Sequence, residues 1–233
     1  MSITVILLCL VPLTAVLSQR TGGSFSLSAY GSVGLSMTPE TFKDFWKTGF
    51  GFGGELKCHI TKTTGLAVSF TYQPFKLDGD AIIEWLEEQA GEPVGPGMEV
   101  EYLGGGTTID FVSINIIQYF TTPPAPFGFY VTAGGGYYMP KMDDANMKFT
   151  YLGEPIEMQR WEEDDWGSDN GFGINGGVGL ELMLGRGKVC LFVEGEYHHT
   201  FIDMDSEGLE ETAGKKGGKI SFITIMGGIR FRS

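Results

Sequence analysis

Two short runs set acids, bases and imidazoles two residues apart. Glu194, Glu196 and His198 alternate in VEGEYHHT, and Glu55, Lys57 and His59 alternate in ELKCHI. Glu181 and Arg230 occupy comparable positions within apolar-patterned stretches. In an extended chain, residues i, i+2 and i+4 point to one side, so each triplet offers its ionisable groups to a single face. Such groups have the types for acid–base catalysis, but no nucleophile stands in a recognisable context and no motif supplies a cleft for a reacting atom. The pattern supports a structural role instead, a hydrogen-bonded network of ion pairs on the inner face of a sheet. His198 and His199 do not form a chelating pair, because neighbouring strand residues face opposite ways.

Two other motifs imitate binding sites. Residues 171–176 read GFGING, a literal GxGxxG, but they follow an acidic loop and run into a strand, whereas a dinucleotide site needs a strand before and a helix after. Residues 203–208 begin like a calcium loop, yet Gly214 stands at the twelfth position, where the bidentate glutamate belongs. The acidic run 164–170 is a second weak calcium candidate. Solvated acidic loops are the better reading of both, and neither a metal nor a cofactor is expected.

The elements that must position the ionisable triplets are strands. On either side of the turn at 185–188, residues alternate: Phe172, Ile174, Val178, Leu180, Leu182 and Leu184 lie on one face, with Gly173, Asn175, Gly179 and Glu181 on the other. The pattern resumes with Val189, Leu191, Val193, Tyr197 and Phe201 opposite Glu194, Glu196, His198 and Thr200, a long β-hairpin. The same period marks strands at 24–35, 50–60, 65–75, 107–120, 127–139 and 219–231, with Ile116 and Ile117 blurring the register of the fourth. Connections alternate between long acidic loops (76–106, 141–170, 203–218) and tight turns (61–64, 121–126, 185–188). Residues 39–46, PETFKDFW, suit a helical turn with Phe42, Phe45 and Trp46 at a membrane interface, or an aromatic loop. Residues 81–90 suit a short helix whose Ile82, Ile83, Trp85 and Leu86 rest on a barrel rim or a membrane.

The sidedness fixes the environment. One face carries glycines and charges, which fit a crowded polar interior, and the other is aliphatic and aromatic, which fits lipid. The expected fold is all-β: an eight-stranded antiparallel up-and-down transmembrane β-barrel, with long extracellular loops and short periplasmic turns. Tyr72, Phe75, Tyr119, Phe120, Phe127, Phe129, Tyr197 and Phe201 are candidates for its aromatic girdles.

At 233 residues this is one domain, with residues 1–18 expected as a signal peptide and 19–233 as the barrel. A net charge of -13 argues against nucleic acid as a partner. Cys58 and Cys190 fall on non-adjacent strands with opposite facing, so no disulfide is expected; Cys9 leaves with the signal.

The segments PETFKDFWKTGFGFGGEL, LFVEGEYHHTF and ISFITIMGGIRFRS resemble the small OmpA/OmpX-like outer-membrane barrels of Gram-negative bacteria. The resemblance implies an outer-membrane location, membrane lipid as a partner and no catalysis. It also implies that the outer-membrane assembly machinery reads the aromatic end of the last strand, where Phe231 matches and is followed by Arg232 and Ser233. The leading reading is a non-enzymatic barrel, plugged by a polar side-chain network that includes Glu55, Lys57, His59, Glu181, Glu194, Glu196, His198 and Arg230. Its acidic loops would serve structural, adhesive or other interaction roles toward an extracellular partner. The alternatives are a secreted lipocalin-like carrier of a small apolar ligand, which would place the apolar faces inside, a narrow pore, and a barrel-embedded lipid enzyme.

Overall fold

The computed structural model describes residues 24–90, 98–121, 126–143, 145–151, 154–161, 169–184, 188–204 and 218–233. In chain order the elements are β1 (Phe25–Thr38), α1 (Glu40–Phe45), β2 (Trp46–Lys47), β3 (Gly49–His59), β4 (Thr64–Leu77), α2 (Gly79–Ala90), β5 (Met98–Gly104), β6 (Thr107–Tyr119), β7 (Phe127–Met142), β8 (Ala145–Tyr151), β9 (Glu154–Trp161), β10 (Gly171–Leu184), β11 (Val189–Met204) and β12 (Gly218–Arg232). Eight of these close on themselves in the order β1, β3, β4, β6, β7, β10, β11, β12, every pair antiparallel, with β12 returning to β1. This is the expected up-and-down barrel, and closure leaves its eight strands without an open edge. The expected signal peptide with Cys9, most of the acidic run 164–170 and most of the calcium-like segment 203–214 lie outside the described residues. Asp203, within them, is held by Lys219 at 3.0 Å.

Alternation sorts the side chains as the sequence suggests. Phe50 is 77% exposed and Phe172 69%, and Ile174, Leu180, Val193, Phe201, Ile225 and Ile229 stand outward with them. An apolar belt around the whole circumference far exceeds what a soluble monomer leaves in water, and matches what a bilayer covers. The carrier alternative is overturned here, because its apolar faces would have to point in. Cys58 points outward and Cys190 inward, and both are free.

Large interior side chains fit because glycines face them. Tyr130 pairs with Gly179 across β7 and β10, and its ring occupies the space that a Cβ at 179 would need. Tyr138 does the same over Gly173, where a Cβ would lie 2.8 Å from the ring.

Three expectations are corrected. The helical turn forms at Glu40–Phe45, with Trp46 extended just after it, but Phe42, Phe45 and Trp46 are buried in the barrel mouth with Phe75, Ile109, Phe111, Tyr138 and Phe222, not set at a membrane interface. The walls at this end are themselves aromatic and aliphatic, so α1 covers apolar surface that would otherwise meet water. Phe75 and Tyr119 likewise face inward and leave the girdle to the other six residues. Finally, the stretches 76–106 and 141–170 are not all loop. β5 pairs with β8, and β8 with β9, in a separate three-stranded sheet.

The β5–β8 ladder continues the β6–β7 hairpin in unbroken register: Thr107 opposes Met142, Asp143 N donates to Gly106 O at 2.8 Å, and Gly104 opposes Ala145. Gly105 sits between the two ladders at φ 73°, a left-handed conformation that a residue with a Cβ adopts only with strain. The expected second helix is present as α2, with Ala81 and Ile82 packed on the mouth cluster. The side chains of Trp85 and Leu86 lie outside the described residues. Ile117 points in and Ile116 out, which settles the register of β6.

Candidate functional site

Among the described residues, inward-facing side chains meet one another in layers along the barrel. Nearest the tight turns is an ionic layer. The Arg230 guanidinium donates from Nη2 to Glu55 at 2.8 Å and from Nε to Ser28 at 2.8 Å, and its Nη1 pairs with Glu181. Glu181 also accepts from Tyr119 at 2.7 Å and pairs with Arg232. Lys57 donates to the Tyr119 hydroxyl at 2.9 Å, lies 3.5 Å from Glu181 and 3.7 Å from Glu55, and rests over the Tyr130 ring. Arg230 covers the face of Phe192, 4.5 Å from its centroid. Aromatic faces suit cations that have left water, and the carboxylates supply the neutralising charge.

Above this layer the groups are mostly neutral donors around two carboxylates. Tyr130 donates to Glu194 at 2.7 Å. The amides of Asn115 and Asn175 donate to Glu196 at 3.3 and 3.2 Å and are joined to each other at 2.9 Å. Higher still, His198 is hydrogen-bonded to Tyr138 at 3.1 Å and Thr224 at 2.9 Å, with Glu196 at 3.6 Å. Its ring stacks on Phe222 at 4.6 Å and 12°, where the aromatic mouth cluster begins.

The eight residues singled out from sequence are thus divided by height. Glu55, Lys57, Glu181 and Arg230 meet in the ionic layer, whereas Glu194, Glu196 and His198 belong to the layers above. His59 is only partly buried and its ring lies tilted against Tyr119 at the tight-turn mouth, 5.6 Å between centroids. Sequence reasoning did not assign Arg232, Tyr119, Tyr130, Tyr138, Asn115 or Asn175 to the network. Inward tyrosines facing inward glycines were the available signal.

The arrangement binds its own groups to one another. Each of the four carboxylates is engaged by protein donors. Among the described residues, no group of three or more His, Cys, Asp or Glu side chains is placed to hold a metal ion.

Comparison with solved structures follows from this geometry. OprG, an outer-membrane protein from Pseudomonas aeruginosa, superposes with a TM-score of 0.51 at 10% identity, over 91% of this chain and 96% of that one. The fold is that of the outer-membrane β-barrels. Neisserial surface protein A gives 0.47 at 12% identity, over 90% and 96% of the two chains. Ail of Yersinia pestis, in complex with the heparin analogue sucrose octasulfate, gives 0.46 at 12%, over 91% and 99%. No family model and no curated protein sequence matches the chain. At these identities the likeness of this outer-membrane-type barrel to its neighbours is one of fold alone.

Proposed function

We propose that the chain is a non-enzymatic outer-membrane protein, a closed barrel that holds a rigid, sealed interior in the bilayer and presents its long-loop side for interaction. Residues 1–18 act as its export signal, the assembly machinery recognises the last strand through Phe231, and the tight turns face the periplasm. The observation that carries this reading is the filled interior. Among the described residues, the ionic layer, the amide–carboxylate layer and the aromatic mouth succeed one another along the axis, and an eight-stranded barrel is just wide enough for side chains to fill, which supports a plugged interior. The protruding β5–β8–β9 sheet and the acidic loops are where an extracellular partner would bind. The Ail neighbour, named for attachment and invasion and solved with a heparin analogue, supports an adhesive role of that kind by fold only.

The test is single-channel recording in a planar bilayer. The barrel should insert without current steps, and discrete, voltage-stable steps from the purified wild-type protein would favour the narrow pore instead.

A further inference from the structure

The ionic layer gathers more basic groups than carboxylates. Lys57, Arg230 and Arg232 converge on Glu55 and Glu181, so Arg232 shares Glu181 with two other basic groups. Glu194 lies a layer deeper, held by the Tyr130 hydroxyl. Arg232 is the outermost of the three basic groups, and among the described residues its guanidinium meets, besides Glu181, only the weak thioether acceptor of Met183, at 3.5 Å. It lines a cavity of about 320 Å³ at the tight-turn end, together with its partner Glu181 and with Lys62, His59, Tyr119 and Phe127. Lys62 is exposed on the turn between β3 and β4, and Lys188 is exposed on the turn before β11, where its carbonyl accepts from Arg232 N at 2.8 Å. This end of an otherwise acidic protein therefore carries a local excess of positive charge, beside a hollow with aromatic walls.

We propose that this hollow is an oxyanion site, taking a phosphate or carboxylate group between Lys62 and Arg232, with the apolar part of the ligand against Phe127, Tyr119 and the His59 ring. A half-buried guanidinium with incomplete neutralisation gains most from an added anion, because the low dielectric strengthens the attraction and the charge has already lost much of its water. The inference does not depend on whether the barrel conducts. It needs only that the tight-turn end meet water or lipid headgroups.

The experiment is an NMR titration of the folded full chain in maltoside micelles, free of phosphate buffer, with inorganic phosphate as the probe. The His59 ring and Arg232 Nε–H resonances should shift saturably. Lys62→Gln, on an exposed turn, should weaken the apparent affinity about tenfold, the scale of one charge-assisted contact. Lys43→Gln at the opposite end should leave it unchanged. Repeating the titration in phosphatidylglycerol and phosphatidylcholine nanodiscs identifies the source. If phosphatidylglycerol alone suppresses the phosphate response, the site takes a lipid headgroup, and if neither lipid suppresses it, the site takes a free anion. A response that fails to saturate, or that is indifferent to Lys62→Gln, overturns the proposal.

Discussion

Arg230 and Glu55, 175 positions apart in sequence, meet at 2.8 Å inside the barrel and span the strand between them, where Ser28 of β1 accepts a second bond from the same guanidinium. The pair straddles the seam at which the first and last strands close. Removing one partner leaves a buried charge without its counter-ion, so Glu55→Ala should destabilise the folded barrel by about 3 to 5 kcal/mol, measured by urea unfolding in lipid vesicles. The double variant Glu55→Leu/Arg230→Met should cost clearly less than the sum of the two single changes.

Val193 stands outward on β11, 58% exposed, opposite Leu180 on one side and Gly227 on the other. Val193→Arg should cost about 2 to 4 kcal/mol of folding stability in lipid, as expected for a cation at mid-bilayer depth. Thr224→Arg, whose side chain would enter the lumen beside His198, should act through overpacking instead, and its effect should not vary with bilayer thickness.

Phe42 is fully buried and touches Phe75 and Trp46, with ring centroids 5.1 and 5.7 Å away. Phe42→Ala should cost about 3 to 5 kcal/mol if the mouth cannot collapse into the gap. Faster amide exchange should then appear at the long-loop end before it appears in the ionic layer.

How much of this was legible follows from period and composition. The barrel strands were readable because a period of two sustained over ten or more residues matches an extended chain and no helix, and the facing of Glu55, Lys57, Glu194 and Glu196 came with it. The mouth was not, because α1 is amphipathic in a way that fits a membrane surface and a barrel lumen equally well. Only closure of the barrel brings Phe111 and Phe222 over Phe42. β5 was hidden by its glutamates, although Met98, Val100 and Tyr102 alternate with Glu99 and Glu101 in the strand pattern. Its partner β8 lies far along the chain, beyond the whole β6–β7 hairpin, a pairing that no local pattern encodes. Tyr119 looked like a girdle residue because it neighbours Phe120; parity along β6, not aromatic character, decides its face.

Asp78 caps α2, accepting from Ala81 N at 3.3 Å, while Lys47 holds the same carboxylate at 2.9 Å. Burial opposes its ionisation, but the Lys47 and backbone hydrogen bonds outweigh it and hold the carboxyl below the ordinary 3.8. Its folded-state value is depressed, so its contribution is fully present above pH 3.8 and is lost as the pH falls through the lower, folded-state value. Amide exchange at Asp78, whose N–H donates to Phe45 O at 2.7 Å, should rise over that acidic range. Asp78→Ala should reproduce the change at neutral pH, at a cost of about 1 kcal/mol.

The most direct test of the lipid-facing barrel is refolding of residues 19–233 from urea into detergent micelles, with boiled and unboiled samples compared by gel electrophoresis. The expected result is a β-rich protein that migrates differently before and after boiling, and that requires the micelle to fold. A monodisperse, folded protein in plain buffer without detergent would contradict it, because the belt that includes Phe50, Phe172 and Val193 cannot remain outward in water.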